Sequence, residues 1–213
     1  MKISEVQFGS LLTYTPRGNQ TEHYKSRTVM RNLKNDEVLP SGNLMSVDIA
    51  RTIQSNLRNY PFSDYFNEKT MLVPTPTSSL IKKDGLWVPQ RITSALANAG
   101  LGINEECLMR ETPLPRSSTS LASDRPKAIQ HYNSMRVKES LLEPQEIILV
   151  DDVITRGATA MGAVNRLAEA FPKAKIRVFA IMRTISNSAK FSKIIEPCIG
   201  TISLVETDSF RDP

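Results

Sequence analysis

The feature that most constrains this chain is a change of hydrophobic period across Glu146–Met182. Ile147, Ile148, Leu149 and Val150 form a short, unbroken apolar run, the pattern of a strand covered on both faces. Beyond a polar turn, Met161, Val164, Leu167, Ala168 and Phe171 recur at helical spacing, and Pro172 stops the helix. Val178, Phe179, Ala180, Ile181 and Met182 are then apolar without alternation. The pattern predicts a strand over Glu146–Val150, a helix over Ala158–Phe171 and a second strand over Ile176–Met182, joined as a right-handed βαβ crossover. Sheets of this kind bind ligands beyond the carboxyl ends of their strands, which here means Asp151–Thr159.

The remainder of the chain supplies parts for one α/β domain spanning residues 1–213, with a central, mostly parallel sheet flanked by helices. Ile3–Thr15 alternates loosely and predicts a hairpin or two short strands. Over Ser46–Leu57, Ile49, Ile53 and Leu57 share one helical face, Ser46 is placed to cap, and Asp48 suits the positive helix end. Thr70–Val73 reads as a strand that stops at Pro74. Pro89 opens a helix carrying Ile92, Leu96 and Ala99, and Gly100 ends it. The Pro-, Ser- and Thr-rich segment Thr112–Asp124 predicts a mobile loop, followed by a helix over Pro126–Tyr132.

Composition narrows the function classes. Lys and Arg number 27 against 22 Asp and Glu, a formal net charge of +5, which suits an anionic ligand without naming one. The basic residues are scattered and not interleaved with aromatics, so charge alone favours a small anion over nucleic acid. No stretch approaches the ~20 apolar residues of a membrane span. The opening MKISEVQFGS has no apolar run after its lysine, which points to a cytoplasmic protein. Cys107 and Cys198 are too few for a disulfide framework and read as small core thiols. His23 and His131 lack ligand spacing, which argues against a histidine metal centre.

The chemistry is concentrated in Ile147–Thr159. Two carboxylates, Asp151 and Asp152, follow the apolar run at once, an unfavourable juxtaposition unless hydrogen donors or a cation meet them. Ribose hydroxyls and Mg²⁺ are suitable partners. Thr155, Arg156, Gly157, Ala158 and Thr159 then lead into a helix N-terminus, where free amides and the helix dipole favour an anion. Gly157 permits close approach of the backbone, and Thr155 and Thr159 offer hydroxyls. The segment reads as a diol clamp followed by a phosphate cradle.

Residue by residue, Ile147–Thr159 resembles the signature of the type I phosphoribosyltransferases. The resemblance implies that fold, with a small hood from about 1–20 and 190–213. It also implies that Asp151 and Asp152 are the catalytic pair at the ribose hydroxyls and Mg²⁺, and that Thr155, Arg156, Gly157, Ala158 and Thr159 hold the 5-phosphate. The donor would be 5-phosphoribosyl-1-pyrophosphate. More weakly, Leu72–Ser78 with Lys82 and Lys83 is similar to the pyrophosphate loop of the competence-protein-F-like (ComF-like) branch, with Thr75, Pro76, Thr77 and Ser78 in contact with the donor. Arg125–Met135 (RPKAIQHYNSM) is similar to that branch's basic segment. The chain lacks the branch's four-cysteine N-terminal element and carries Lys83-Asp84-Gly85-Leu86-Trp87 where the branch has an arginine–glycine–aromatic–asparagine run.

The implied reaction is displacement of pyrophosphate from the anomeric carbon by a nitrogenous acceptor. Lys82 or Lys83, with Arg116 or Arg125, would neutralise the leaving group, and closure of Thr112–Asp124 would exclude water. Trp87 and Tyr132 are single aromatics, either packing groups or stacking surfaces for a base. Two other readings stay open. One is a non-catalytic sensor of the sugar pyrophosphate or a nucleotide that regulates a partner; the other is a nucleic-acid-associated module in a complex. A homodimer is compatible with each.

Overall fold

The computed structural model describes residues 1–80, 85–115, 125–140, 142–206 and 208–213. Lys82, Lys83, Arg116 and most of Thr112–Asp124 lie outside the described residues.

The predicted βαβ unit forms as β6 (Glu146–Ile154), α5 (Ala158–Ala170) and β7 (Lys175–Thr184), with β6 and β7 parallel from Glu146↔Lys175 to Ile154↔Arg183. β6 runs four residues past the apolar core of the prediction, so Asp151 and Asp152 are strand residues, not turn residues. On the other side β6 pairs in parallel with β2 (Met71–Pro74), which pairs with β3 (Ile103–Asn104). With β1 (Glu5–Tyr14), β8 (Ile195–Val205) and β9 (Asp208–Asp212), the seven-stranded order is β3-β2-β6-β7-β1-β8-β9. A separate antiparallel pair joins β4 (Leu108–Arg110) to β5 (Met135–Val137).

Ile3–Thr15 is one ten-residue strand, not a hairpin. β1 lies inside the sheet, parallel to β7 and antiparallel to β8. Two covered faces account for its imperfect alternation: Phe8, Ser10, Leu11, Leu12 and Thr13 are all buried. The terminal segments expected to form a hood are therefore joined to the sheet, β1 within it and the β8–β9 hairpin at its edge.

Strand alternation divides the core between two layers. Leu72, Ile148, Val150, Phe179 and Ile181 face one cluster with Leu33 of α1 (Thr21–Asn35), Ile49 and Ile53 of α2 (Met45–Asn56), and Ile92 and Leu96 of α3 (Val88–Asn98). Phe179 meets Phe62 and Phe66 edge-on, with 5.0 Å between centroids in both pairs. Met71, Val73, Ile147, Leu149, Val178 and Ala180 face the other cluster, with Met161, Val164 and Leu167 of α5. Each such large side chain contributes roughly 1.5–3 kcal/mol by leaving water.

The periodicity did not predict α1, whose buried residues are only His23, Ser26 and Leu33. Ser46 does not cap α2 either; Leu44 holds that position. Instead the Ser46 amide and hydroxyl donate to Asp36 at 2.8 and 3.1 Å. Asp36 ends α1 in the left-handed conformation (φ 47), so one carboxylate ties the end of α1 to the start of α2. Cys107 is buried, Cys198 is half-buried, and both are free thiols. Among the described residues no helix is long and apolar enough to cross a membrane.

Candidate functional site

Asp151 and Asp152 stand at the carboxyl end of the central strand β6, between β2 and β7. Asp152 continues the set of Ile148 and Val150, on the face covered by α1, and its carboxylate meets Lys34 of α1. Lys34 Nζ lies 2.8 Å from each of its oxygens. The Asp152 carboxylate also accepts the Val153 amide at 2.7 Å, and Asp151 accepts the Asp152 amide at 2.9 Å. Burial, and then the neighbouring charge of Asp152, push the Asp151 carboxyl above the ordinary range. Burial opposes the Lys34 ammonium, but attraction to Asp152 and Asp151 outweighs it and its pKa is raised.

The turn after β6 has the conformation an anion cradle needs. Gly157 is the N-cap residue of α5 with φ +86, and no side chain caps the helix, leaving the first-turn amides to another acceptor. A Cβ at Gly157 would sit 2.5 Å from Ile202 Cγ2 of β8, so glycine is required by both backbone and neighbour. The surrounding side chains are engaged within the chain. Thr155 Oγ1 lies 3.1 Å from Thr184 Oγ1, and the Thr155 carbonyl accepts Arg211 Nε at 2.7 Å. Arg156 pairs with Asp208 of β9 at 2.6 Å. Thr159 Oγ1 lies 3.3 Å from His131 Nε2. At Ala158 the helix begins with no polar side chain to offer.

The second predicted loop adjoins the first. The Thr75 amide donates to the Val150 carbonyl at 2.8 Å, so Thr75–Ser78 leaves the sheet beside the acidic tip. Thr75 is buried and its hydroxyl has no partner among the described residues. Its carbonyl accepts Trp87 Nε1 at 2.8 Å, which gives Trp87 a packing role. Pro76 sits in the same loop, Thr77 Oγ1 donates to the Ser79 carbonyl at 2.6 Å, and Ser78 accepts the Leu114 amide at 2.8 Å. Tyr132, the other single aromatic, lies beneath the Arg166 guanidinium at 3.8 Å and bonds Glu169. Arg125 is half-buried, with Nε unpaired among the described residues.

Three residues that sequence reasoning missed connect the two loops. Arg110, at the end of β4, is 5% exposed. Its Nε donates to the Thr77 carbonyl at 2.7 Å, Nη1 bonds Ser134 Oγ, and Nη2 has no partner among the described residues. Ser134 Oγ donates to the His131 carbonyl at 2.8 Å, and His131 reaches Thr159. His131 lies on α4 (Ala128–Asn133), which packs so closely on α5 that a Cβ at Gly162 would meet the Tyr132 amide nitrogen at 2.6 Å. Burial, reinforced by Arg110, pushes His131 down to about 4, and burial pushes Arg110 down to about 10. No ion pair to Arg110 forms among the described residues, so a costly buried cation is placed between two candidate phosphate loops. The available signal was a lone arginine closing a short apolar strand before a Pro-rich segment.

The strand tip offers the hard oxygen donors that suit Mg²⁺. With the Lys34 ammonium on both Asp152 oxygens, however, it does not fit a directly bound metal as it stands. Among the described residues no group of three or more His, Cys, Asp or Glu is placed to hold one.

No curated protein matches the sequence. Among solved structures, a hypoxanthine phosphoribosyltransferase from Staphylococcus aureus is 10% identical, covering 67% of this chain and 73% of that one, with a TM-score of 0.35. The hypoxanthine phosphoribosyl transferase of Trypanosoma cruzi is also 10% identical, covering 74% and 76%, with a TM-score of 0.33. At those TM-scores the superpositions decide nothing about this chain. Residues 115–208, under half of the chain but including the acidic tip, the Thr155–Thr159 turn and helix α5, match the model of the family described as Phosphoribosyl transferase.

Proposed function

We propose that this protein binds 5-phosphoribosyl-1-pyrophosphate and transfers its phosphoribosyl group to a nitrogenous acceptor, as a cytoplasmic phosphoribosyltransferase akin to the ComF-like branch. One arrangement carries the reading: a carboxylate-tipped central strand runs through a left-handed Gly157 into an uncapped helix N-terminus. The Thr75–Ser78 loop is hydrogen-bonded alongside. Asp151 and Asp152 would orient the ribose hydroxyls, the amides from Gly157 to Thr159 would take the 5-phosphate, and Thr75–Ser78 would face the pyrophosphate. Arg110, Arg125, Lys82, Lys83 and Arg116 are the proposed sources of positive charge as pyrophosphate departs.

When a nitrogen lone pair forms the new bond to the anomeric carbon, the carbon–oxygen bond to pyrophosphate breaks and its electrons leave with the phosphate oxygens. The protein's contribution is alignment and charge neutralisation. Mg²⁺, when carried on the donor's own phosphate oxygens, supplies further neutralisation. Since Lys34 holds Asp152, no step is assigned to a protein-bound metal.

A regulatory sensor of the sugar pyrophosphate or a nucleotide is the second reading. It is favoured by one observation: Thr155, Arg156 and Thr159 are all engaged by other parts of the chain, so a ligand would exchange partners within the fold. Calorimetry tests donor binding: Asp151→Asn with Asp152→Asn is expected to abolish it, and unchanged affinity sinks the site. Pyrophosphate release across a panel of bases separates transferase from sensor. Tight donor binding without release supports the sensor.

A further inference from the structure

Lys34 is presented to the strand tip by a fixed element. Asp36, two residues on, accepts the Ser46 amide at 2.8 Å and pairs with Arg91 at 3.3 Å, which anchors the end of α1. The Lys34 side chain is 48% exposed, whereas that of Asp152 is 8% exposed. Its ammonium sits 2.8 Å from both Asp152 oxygens and the Val153 amide takes a further site on Oδ1, so a second cation on this carboxylate would sit directly beside the ammonium. A partly exposed lysine pair is weak enough to be displaced, while two cations on the same oxygens repel strongly.

We propose that Lys34 is the resident counter-cation of the acidic tip, and that divalent cations and sugar hydroxyls reach Asp152 only by displacing it. The sugar half rests on the phosphoribosyl-binding reading; the cation half stands on the Lys34–Asp152 geometry. The lysine thereby sets the metal dependence of the site. Wild-type protein binds free divalent cation poorly, because each ion must first expel an ammonium from the carboxylate it needs.

The probe is Mn²⁺, titrated into the whole chain and followed by electron paramagnetic resonance for wild type, Lys34→Met and Lys34→Met with Asp152→Asn. Lys34→Met is expected to bind Mn²⁺ at least about tenfold more tightly than wild type, and the double variant to lose that gain. Parallel calorimetry with 5-phosphoribosyl-1-pyrophosphate, with and without MgCl₂, tests the donor reading separately. Equal Mn²⁺ affinity in wild type and Lys34→Met, with donor binding retained, overturns the displacement proposal and leaves the donor site standing. A loss of donor affinity in Lys34→Met without a Mn²⁺ gain makes Lys34 a ligand-binding group and also overturns it. Donor binding by no variant at any MgCl₂ concentration removes the phosphoribosyl reading, while the Mn²⁺ comparison still judges Lys34. If Lys34→Met does not fold, lysine acetylation of wild type read by mass spectrometry decides. Saturating Mn²⁺ must accelerate modification of Lys34, and an unchanged or slower rate overturns the proposal.

Discussion

Gly157 and Ile202 approach so closely that a methyl group on the glycine would lie 2.5 Å from the isoleucine Cγ2. The turn proposed to cradle the phosphate is therefore built against the β8–β9 edge of the sheet. Gly157→Ala meets both this contact and a φ of +86. It is expected to destabilise the fold by about 1–3 kcal/mol from backbone strain alone, and to weaken donor binding as the turn shifts. Urea denaturation checks the first effect and calorimetry the second; an unchanged unfolding midpoint would show that the turn relaxes freely.

Arg110 carries a buried charge, and its Nη2 is unpaired among the described residues. Exchanging it for an apolar side chain of similar length removes the cost of burying a cation. Arg110→Met is expected to keep or raise the melting temperature while weakening binding of 5-phosphoribosyl-1-pyrophosphate by about tenfold or more, the scale of a lost charge-assisted bond. A lower melting temperature with intact binding would make Arg110 a structural strut only.

His131 supplies a pH signature. Its folded pKa, pushed down to about 4, lies below the ordinary histidine value of 6.5. Between those values the unfolded chain binds the additional proton. The neutral imidazole's contribution is therefore complete above about pH 6.5 and is lost as pH falls towards 4, on the order of 3 kcal/mol in total. Urea melts of wild type and His131→Gln at pH 7.5 and 5 should show a steeper acid loss in wild type. Parallel losses in both proteins would mean that His131 titrates normally.

The Arg156–Asp208 pair is 37% and 41% exposed at its two side chains, so solvent screens it and its removal should change stability by no more than about 1 kcal/mol. Asp208→Asn releases the guanidinium beside the Thr155–Thr159 turn. Ribose 5-phosphate is expected to bind the variant several-fold more tightly, measured by calorimetry at low salt. Weaker binding would show that Asp208 holds Arg156 in its useful position.

The βαβ unit and the backbone geometry of its loop were legible in the sequence because both are local. An apolar run, a 3.6-residue period, Pro172 and Gly157 act through neighbouring peptide units. Element boundaries of α2, α3 and α5 followed for the same reason. Tertiary structure alone placed β1 between β7 and β8, since loose alternation does not reveal which distant strands will cover both its faces. It alone brought Lys34 across 118 positions to Asp152, and Arg110 and His131 between the two loops. These are single long-range encounters of charged and polar groups in a low-dielectric interior. They leave no periodic trace in the chain, yet they decide which carboxylate meets a lysine and which buried arginine lies between the two loops.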